Sequence, residues 1–156
     1  MEFRTGAFDI WLYRRVGESV EYLLLHTSQE KADLWFNGGR FWQIPSELVA
    51  SEEKLVAAVH RCLSDFGLEA GSVWAVEHTY TIYNRRRESI EQILVLAAEL
   101  KGSEVPKLTW EHSEYRWCSA SECEALLGFR GLREGLEWAR KYVTEAERPM
   151  PELKLA

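Results

Sequence analysis

The residues best spaced for chemistry lie on a predicted helix between residues 52 and 66. Arg61, Ser64 and Asp65 have the spacing i, i+3 and i+4, so their side chains share one face of that helix. Three carboxylates on such a face would bind Mg²⁺ or Mn²⁺. Here the face carries one positive and one negative charge. The spacing therefore predicts an ion pair between Arg61 and Asp65 instead of a metal site.

The segment around this face resembles the Nudix box, whose pattern is G-x5-E-x7-R-E-U-x-E-E-x-G-U with U an aliphatic residue. The segment reads WQIPSELVASEEKLVAAVHRCLSDFGL over residues 42–68. Placed without gaps, the pattern puts its first Glu on Glu52, its Arg on His60 and its closing pair on Gly67 and Leu68. Its first Gly falls on Ser46. Its three metal-binding Glu positions fall on Arg61, Ser64 and Asp65.

The resemblance extends to both ends of the chain. Residues 5–27 resemble the opening hairpin of the diadenosine tetraphosphate hydrolase branch. Residues 111–143 resemble the end of that branch and of the dihydroneopterin triphosphate pyrophosphatase branch, where EH-x-x-Y-[RK]-W precedes two helices. Membership would imply an α/β/α sandwich, a phosphorylated nucleotide ligand, and Mg²⁺ or Mn²⁺ as the cofactor of an active enzyme.

The charges on the helix face decide which function we expect. A positive charge about 5 Å from a divalent ion, at an effective dielectric near 20, is repelled by roughly 7 kcal/mol at most. We therefore expect a nucleotide-binding Nudix domain with lost or strongly weakened hydrolysis. One alternative is an active pyrophosphohydrolase that uses carboxylates outside the box, namely Glu47, Glu53, Glu111 or Glu114. The other is a structural module or homodimer that associates through its tryptophan-rich surface.

Several further residues are candidates for binding the ligand or assisting catalysis. Glu52 matches a family position, although a glutamate in a first helical turn is also explained by the helix dipole. Asp65 is the remaining candidate metal ligand. Three aromatic side chains could stack on a base, namely Trp42, Tyr80 and Tyr83. A run of three arginines could bind a phosphate group, namely Arg85, Arg86 and Arg87. Glu111 and His112 match the EH pair of the relatives.

These residues must be positioned by a regular set of elements. The pattern predicts a hairpin over 7–14 and 21–27, a loop over 28–40, and a short strand over 41–44. A helix over 52–66 follows, with Ser51 as its N-cap. Strands over 73–83, 90–100 and 115–118 and helices over 120–127 and 131–146 complete the prediction. This order indicates an α+β domain over residues 1–146, with a mixed sheet packed between helices, and a mobile tail over 147–156.

Composition excludes several classes of protein. The 156 residues include 19 basic and 25 acidic side chains, a formal net charge of −6. That balance argues against a protein that coats nucleic acids, because such proteins neutralise phosphates with basic side chains. No apolar run is long enough to cross a membrane. The three cysteines lack a CxxC spacing, which favours reduced thiols and a cytoplasmic location.

Overall fold

The computed structural model describes residues 1–156. The chain forms one seven-stranded mixed sheet and four α-helices. The strands are β1 (Glu2–Val16), β2 (Ser19–Thr27), β3 (Trp42–Gln43), β4 (Ser46–Leu48), β5 (Glu69–Asn84), β6 (Ser89–Lys101) and β7 (His112–Cys118). The helices are α1 (Gln29–Trp35), α2 (Leu55–Asp65), α3 (Ala120–Leu126) and α4 (Arg130–Ala139).

Strand β1 lies at the centre of the sheet, whose order is β3-β2-β1-β6-β5. It pairs antiparallel with β2 through a turn at Gly17 (φ 63), and parallel with β6. The first part of β1 also pairs with β4, while β7 pairs with β2. The sheet is therefore mixed, as the order of elements predicted.

Alternation along β1 divides the core into two layers. Phe8, Ile10 and Leu12 face α2, whereas Trp11 and Tyr13 face α3 and α4. Each layer is built around 15 buried residues. Because both faces of the sheet are covered by helices, the fold is the predicted α/β/α sandwich.

One predicted element was wrong, and two predicted helices differ from the prediction in their bounds. The predicted loop over 28–40 contains α1, whose N-terminus is capped by Ser28 accepting from the Lys31 N–H at 3.1 Å. Helix α2 begins at Leu55 with Lys54 as its N-cap, not at Glu52. Helix α4 ends at Ala139 and continues as a π-helical turn over Arg140–Thr144.

The C-terminal segment is ordered against the sheet, contrary to the predicted mobile tail. A 3₁₀ turn over Pro151–Leu153 buries Leu153, and Trp74 of β5 forms a bridge with Lys154. Val73 donates to Ala156 O at 3.0 Å and accepts from the Leu155 N–H at 2.8 Å. No helix of the chain has the length and apolar character needed to span a membrane.

Candidate functional site

Helix α2 presents the three predicted metal positions to solvent. Its buried face, which includes Val59 and Cys62, packs on the sheet. Ser64 and Asp65 are exposed on the other side, and Arg61 is half-buried. The shared face inferred from the spacing is therefore present.

Arg61 binds the segment before the helix and does not pair with Asp65. Its Nε and Nη2 donate to the two Glu53 oxygens, both at 2.9 Å, and Nη2 also donates to Leu48 O at 2.7 Å. Its Nη1 lies 3.7 Å from Glu47 Oε2. Helical side chains lean toward the helix N-terminus, so Arg61 reaches residues 47–53 and extends away from Asp65. The predicted Arg61–Asp65 ion pair is wrong for this reason.

The Glu53 carboxylate is fully committed to this arrangement. Besides Arg61, it accepts the Ala50 N–H at 2.9 Å and so closes the turn before α2. The hydrogen bonds from Arg61, followed by that from Ala50, lower the pKa of Glu53 to about 2. Glu53 is therefore a permanent anion whose partner is already present.

Glu52 lies outside the helix. It is exposed with φ 63, so it occupies the left-handed region in the turn and not the first helical turn. The bonded pair, Glu53 and Arg61, has the E-x7-R spacing of the box, but one residue downstream of the ungapped placement. This displacement was not visible in the pattern, because both 52 and 53 are glutamates.

Sequence reasoning missed a buried carboxyl group on β1, which bonds to the first residue of β4. Asp9 on β1 is 3% exposed and accepts from Ser46 Oγ at 2.6 Å and from the Tyr80 hydroxyl. Burial raises the pKa of Asp9 to about 6, against the opposing effect of the two hydrogen bonds. An aspartate inside the apolar run AFDIWLYR was the available signal. Tyr80, predicted to stack on a base, uses its hydroxyl here instead.

The turn after β5 separates its three arginines. Arg87 donates to Glu91 at 2.7 Å, and Arg86 lies over the Trp35 ring at 4.0 Å. Arg85 is exposed and forms neither a hydrogen bond nor an ion pair within the chain. The exposed Tyr83 donates its hydroxyl to Glu88.

Arg86, in the turn between β5 and β6, contacts α1, which in turn contacts the segment before β7. Trp35 packs edge-on against the half-exposed Trp110, with ring centroids 5.5 Å apart. Next to Trp110, Glu111 pairs with the buried Lys31 at 3.2 Å. We call Trp35, Arg86 and Trp110 the Trp35 cluster. Sequence reasoning found Arg86 and Glu111 but not Trp35 or Lys31, because the loop over 28–40 was not read as a helix.

His112 is buried beside this cluster. Its Nε2 lies 2.7 Å from the Gln43 amide nitrogen, and its Nδ1 has no partner. Burial first, and then Lys31, lowers the pKa of His112 to about 4, so the imidazole is neutral near pH 7. A neutral ring that accepts from Gln43 at Nε2 carries its proton on Nδ1.

Trp42 lies apart from the Trp35 cluster. Its ring stacks on His26 at 4.5 Å, and Arg116 lies 5.9 Å from its centroid. Its other side packs on the core layer under α3. Trp42 thus has a structural partner on each side, and the structure does not bring it together with Tyr80 or the arginine turn.

A small cavity of about 220 Å³ opens between the start of α2 and strands β1, β5 and β6. Its walls include Val49, Leu55, Thr79, Gln92 and Leu94. Its volume is below the roughly 300–1,000 Å³ that is usual for sites of drug-sized ligands.

The residues of the helix face do not fit a metal ion. The chain holds no group of three or more His, Cys, Asp or Glu side chains arranged as a metal site. Glu53 is bonded to Arg61 through both oxygens, and Glu47 also lies near that guanidinium. The face leaves Asp65 as its one carboxylate without such a contact.

Comparison with known proteins identifies the family. A Nudix domain model matches residues 3–139, so the chain belongs to the Nudix family. The structure is similar to that of a C. elegans Ap4A hydrolase, with 16% identity, a TM-score of 0.70, and coverage of 94% of this chain and 100% of that one. It is similar to the E. coli dihydroneopterin triphosphate pyrophosphohydrolase, with 16% identity, a TM-score of 0.64, and coverage of 94% and 100%.

A third similar structure contains a ligand. The Nudix domain of Shewanella oneidensis NrtR, complexed with ADP ribose, has 16% identity and a TM-score of 0.66, with coverage of 90% of this chain and 87% of that one. Identities this low establish the shared fold. Both branches expected from the sequence are thus among the structural neighbours.

Proposed function

We propose that this chain is a Nudix domain that binds a phosphorylated nucleotide-like ligand, and that metal-dependent hydrolysis is lost or strongly weakened. The observation that carries the proposal is the fixed position of Arg61. Its guanidinium is held by both Glu53 oxygens and by Leu48 O, and in the ungapped placement of the box it falls on a position where the family pattern has a metal-binding glutamate.

The contacts of Arg61 argue against a simple rearrangement that would admit a metal. Moving the side chain away would break two charge-assisted hydrogen bonds and leave Glu53 without its partner. If Arg61 remains, a dication about 5 Å away is repelled by roughly 7 kcal/mol at most. Since each 1.4 kcal/mol changes a rate about tenfold, even a part of this repulsion would suppress turnover.

The Trp35 cluster is the site that we propose for ligand binding. Trp110 offers a half-exposed ring on which a base could stack, and Arg86 holds a positive charge over the neighbouring Trp35 ring. Arg85, on the same turn, has an uncommitted guanidinium suited to a phosphate group. The NrtR domain with ADP ribose supports the choice of nucleotide-like compounds as first probes.

Two measurements test this proposal together. Thermal denaturation and calorimetry with ADP-ribose, ADP, ATP and a dinucleoside polyphosphate, without metal, should show stabilisation by at least one compound, because binding to the folded state adds RT ln(1 + [L]/Kd). Phosphate release from the same compounds with Mg²⁺ or Mn²⁺ should not exceed the rate without protein.

Variants locate the site. Arg86→Ala and Trp110→Ala should each weaken the ligand-induced shift, whereas Arg133→Ala, which changes an exposed arginine on α4, should not. Brisk Mn²⁺-dependent release of phosphate would favour the active pyrophosphohydrolase instead. Absence of stabilisation by every probe would favour the structural module.

A further inference from the structure

The outer edge of β5 is covered along only part of its length. Strand β5 is the last strand of the sheet and pairs on one side with β6. On its other side, the C-terminal segment bonds to Val73 and forms a bridge with Trp74. No strand pairs with the outer side beyond that point. A regular stretch from Thr79 to Asn84 follows the bulge between Ala75 and Thr79.

This stretch has few of the features that usually protect a sheet edge. It contains no proline, and its regular part contains no charged side chain. Ile82 is 40% exposed and Tyr83 is 50% exposed, which is unusual for large apolar and aromatic side chains on a strand. Exposed strand edges without such protection pair readily with another strand.

Unpaired charges of opposite sign flank the same stretch. Glu77 lies in the bulge (φ 57) and is exposed, and Arg85 follows Asn84. Neither side chain takes part in a hydrogen bond or ion pair within the chain. An acidic residue at one end and a basic residue at the other make the edge complementary to itself in the antiparallel direction.

We infer that the regular stretch of β5 pairs antiparallel with the same stretch of a second copy of this chain, about a two-fold axis that passes beside Thr81. In this register Thr81 faces its own counterpart. Glu77, in the bulge beyond one end of the stretch, comes nearest to Arg85, in the turn beyond the other end. Tyr80 faces Ile82, and Thr79 faces Tyr83. The inference does not rest on the proposed ligand, although the dimer and a bound phosphate would both use the Arg85 guanidinium. It concerns a different surface from the tryptophan-rich interface considered from the sequence.

The side-chain pairs favour this register over its neighbours. Aromatic residues facing β-branched residues across antiparallel strands contribute roughly 0.2–1 kcal/mol per pair, and the two-fold axis generates four such pairs. A shift of the axis to Ile82 would place Tyr80 opposite Asn84 and Thr79 opposite Arg85. A shift to Tyr80 would place Glu77 opposite Tyr83. Neither alternative pairs the two free charges.

The dimer should be weak and dependent on concentration. A stretch of six residues spans only about 20 Å at roughly 3.4 Å per residue, so its interface falls at the small end of specific interfaces. Sedimentation velocity or light scattering over roughly a hundredfold range of protein concentration should therefore show a reversible rise from monomer to dimer mass.

Thr81→Lys is the sharpest variant, because the two-fold axis would place two positive charges directly opposite each other. We expect it to remain monomeric at the highest concentration, while Ser103→Lys, on an exposed loop, dimerises as wild type does. A wild-type protein that is monomeric throughout, or a Thr81→Lys dimer, would overturn the inference. Circular dichroism and thermal denaturation check that each variant is folded.

A charge exchange tests the register even if Thr81→Lys fails to fold. Glu77→Arg and Arg85→Glu should each weaken association at least tenfold, because like charges then meet across the axis. The double variant restores opposite charges and should recover wild-type association. The register would be overturned if the single variants associated as wild type does. It would also be overturned if the double variant associated no more tightly than the single variants.

Discussion

At the scale of single residues, this protein is governed by where charged side chains find partners. In the ungapped placement of the box, Arg61 falls on a position that a carboxylate holds in the family pattern, and it takes Glu53 as its partner through both oxygens. Asp9 lies in the core with two hydroxyl donors, and His112 lies there with one amide. From each of these contacts we predict a metal response or a pH dependence of stability that the residue type alone does not suggest.

Replacement of Arg61 by a carboxylate should restore a response to metal. In Arg61→Glu with Ser64→Glu, Glu47 and Glu53 lose their counter-charge and repel the new carboxylates. The melting temperature in metal-free buffer should therefore fall. Mn²⁺ should then raise it, and binding at about 100 times Kd would add about 3 kcal/mol.

Arg61→Gln is the matched control for the reversion, since it removes the charge without adding a carboxylate. It should lower the melting temperature without a response to Mn²⁺. If calorimetry detects no Mn²⁺ binding to the double variant, the loop before α2 cannot present its carboxylates to a metal.

Asp9 should make stability fall as pH rises from about 4 to about 6. Burial raises the pKa of the folded carboxyl from 3.8 to about 6, so the folded state binds more protons than the unfolded state in this range. The rise corresponds to about 3 kcal/mol. Relative to Asp9→Asn, wild type should lose about that much unfolding free energy between pH 4 and pH 7, measured by urea denaturation.

His112 opposes this dependence and must be controlled for. Its pKa is lowered from 6.5 to about 4, so in this range the unfolded state binds more protons and stability rises with pH. The unfolding free energy of wild type should therefore change less with pH than the contribution of Asp9 or of His112 alone. Asp9→Asn and His112→Gln should reveal slopes of opposite sign. Parallel profiles for wild type and Asp9→Asn would show that Asp9 does not titrate in this range.

At the scale of elements, local capping decides where the helices begin. Helix α3 has a complete capping box, in which the Glu122 N–H donates to Ser119 Oγ at 3.2 Å and the Ser119 N–H donates to Glu122 Oε1 at 2.9 Å. Helix α2 has Lys54 as its N-cap, without a side-chain hydrogen bond. Ser51, the capping residue expected from the sequence, is left in the turn because Glu53 closes that turn on Ala50 and Arg61.

Exchange of capping residues should shift stability in opposite directions. Lys54 already has the extended backbone of an N-cap (φ −82, ψ 151), so Lys54→Ser should add about 1 kcal/mol. Ser119→Ala should cost about 1 kcal/mol, because it leaves N–H groups of α3 without an acceptor. Chemical denaturation measures both. Lys101→Ser, at the end of β6, controls for loss of a lysine, and an equal gain there would contradict the capping argument.

At the scale of the whole molecule, two layers of helices enclose the sheet and the C-terminal segment lies against its edge. That segment matters because it covers Val73 and Trp74, which would otherwise extend the open edge of β5. The same feature limits the surface that we infer for dimerisation to residues 77–85. The C-terminal segment and the inferred dimer thus both use the outer edge of β5.

Leu153 should anchor the C-terminal segment. It is 7% exposed, whereas Leu155 is 40% exposed. Leu153→Ala should therefore cost about 2–3 kcal/mol of unfolding free energy, and Leu155→Ala should cost less than about 1 kcal/mol. Hydrogen exchange should show faster exchange of the Val73 amide in Leu153→Ala. Equal and small losses for both variants would show that the segment is not packed as described.

The sequence by itself determined an α+β domain with a mixed sheet between helices, the apolar faces of its strands and helices, and the shared face of Arg61, Ser64 and Asp65. These features follow from periodicity, which is local and repeats along the chain. The sequence did not predict helix α1, because its seven residues lie in a polar segment with glycines and are too few to show a helical period.

Only the tertiary structure decided which partner each charged or aromatic group found. Arg61 reached back to Glu53, Arg86 crossed to Trp35, Asp9 met Tyr80, and the tail covered part of β5. These contacts join residues from different elements or from a turn whose shape is not periodic. Their formation depends on chain reversals and side-chain direction, which spacing along one element does not specify.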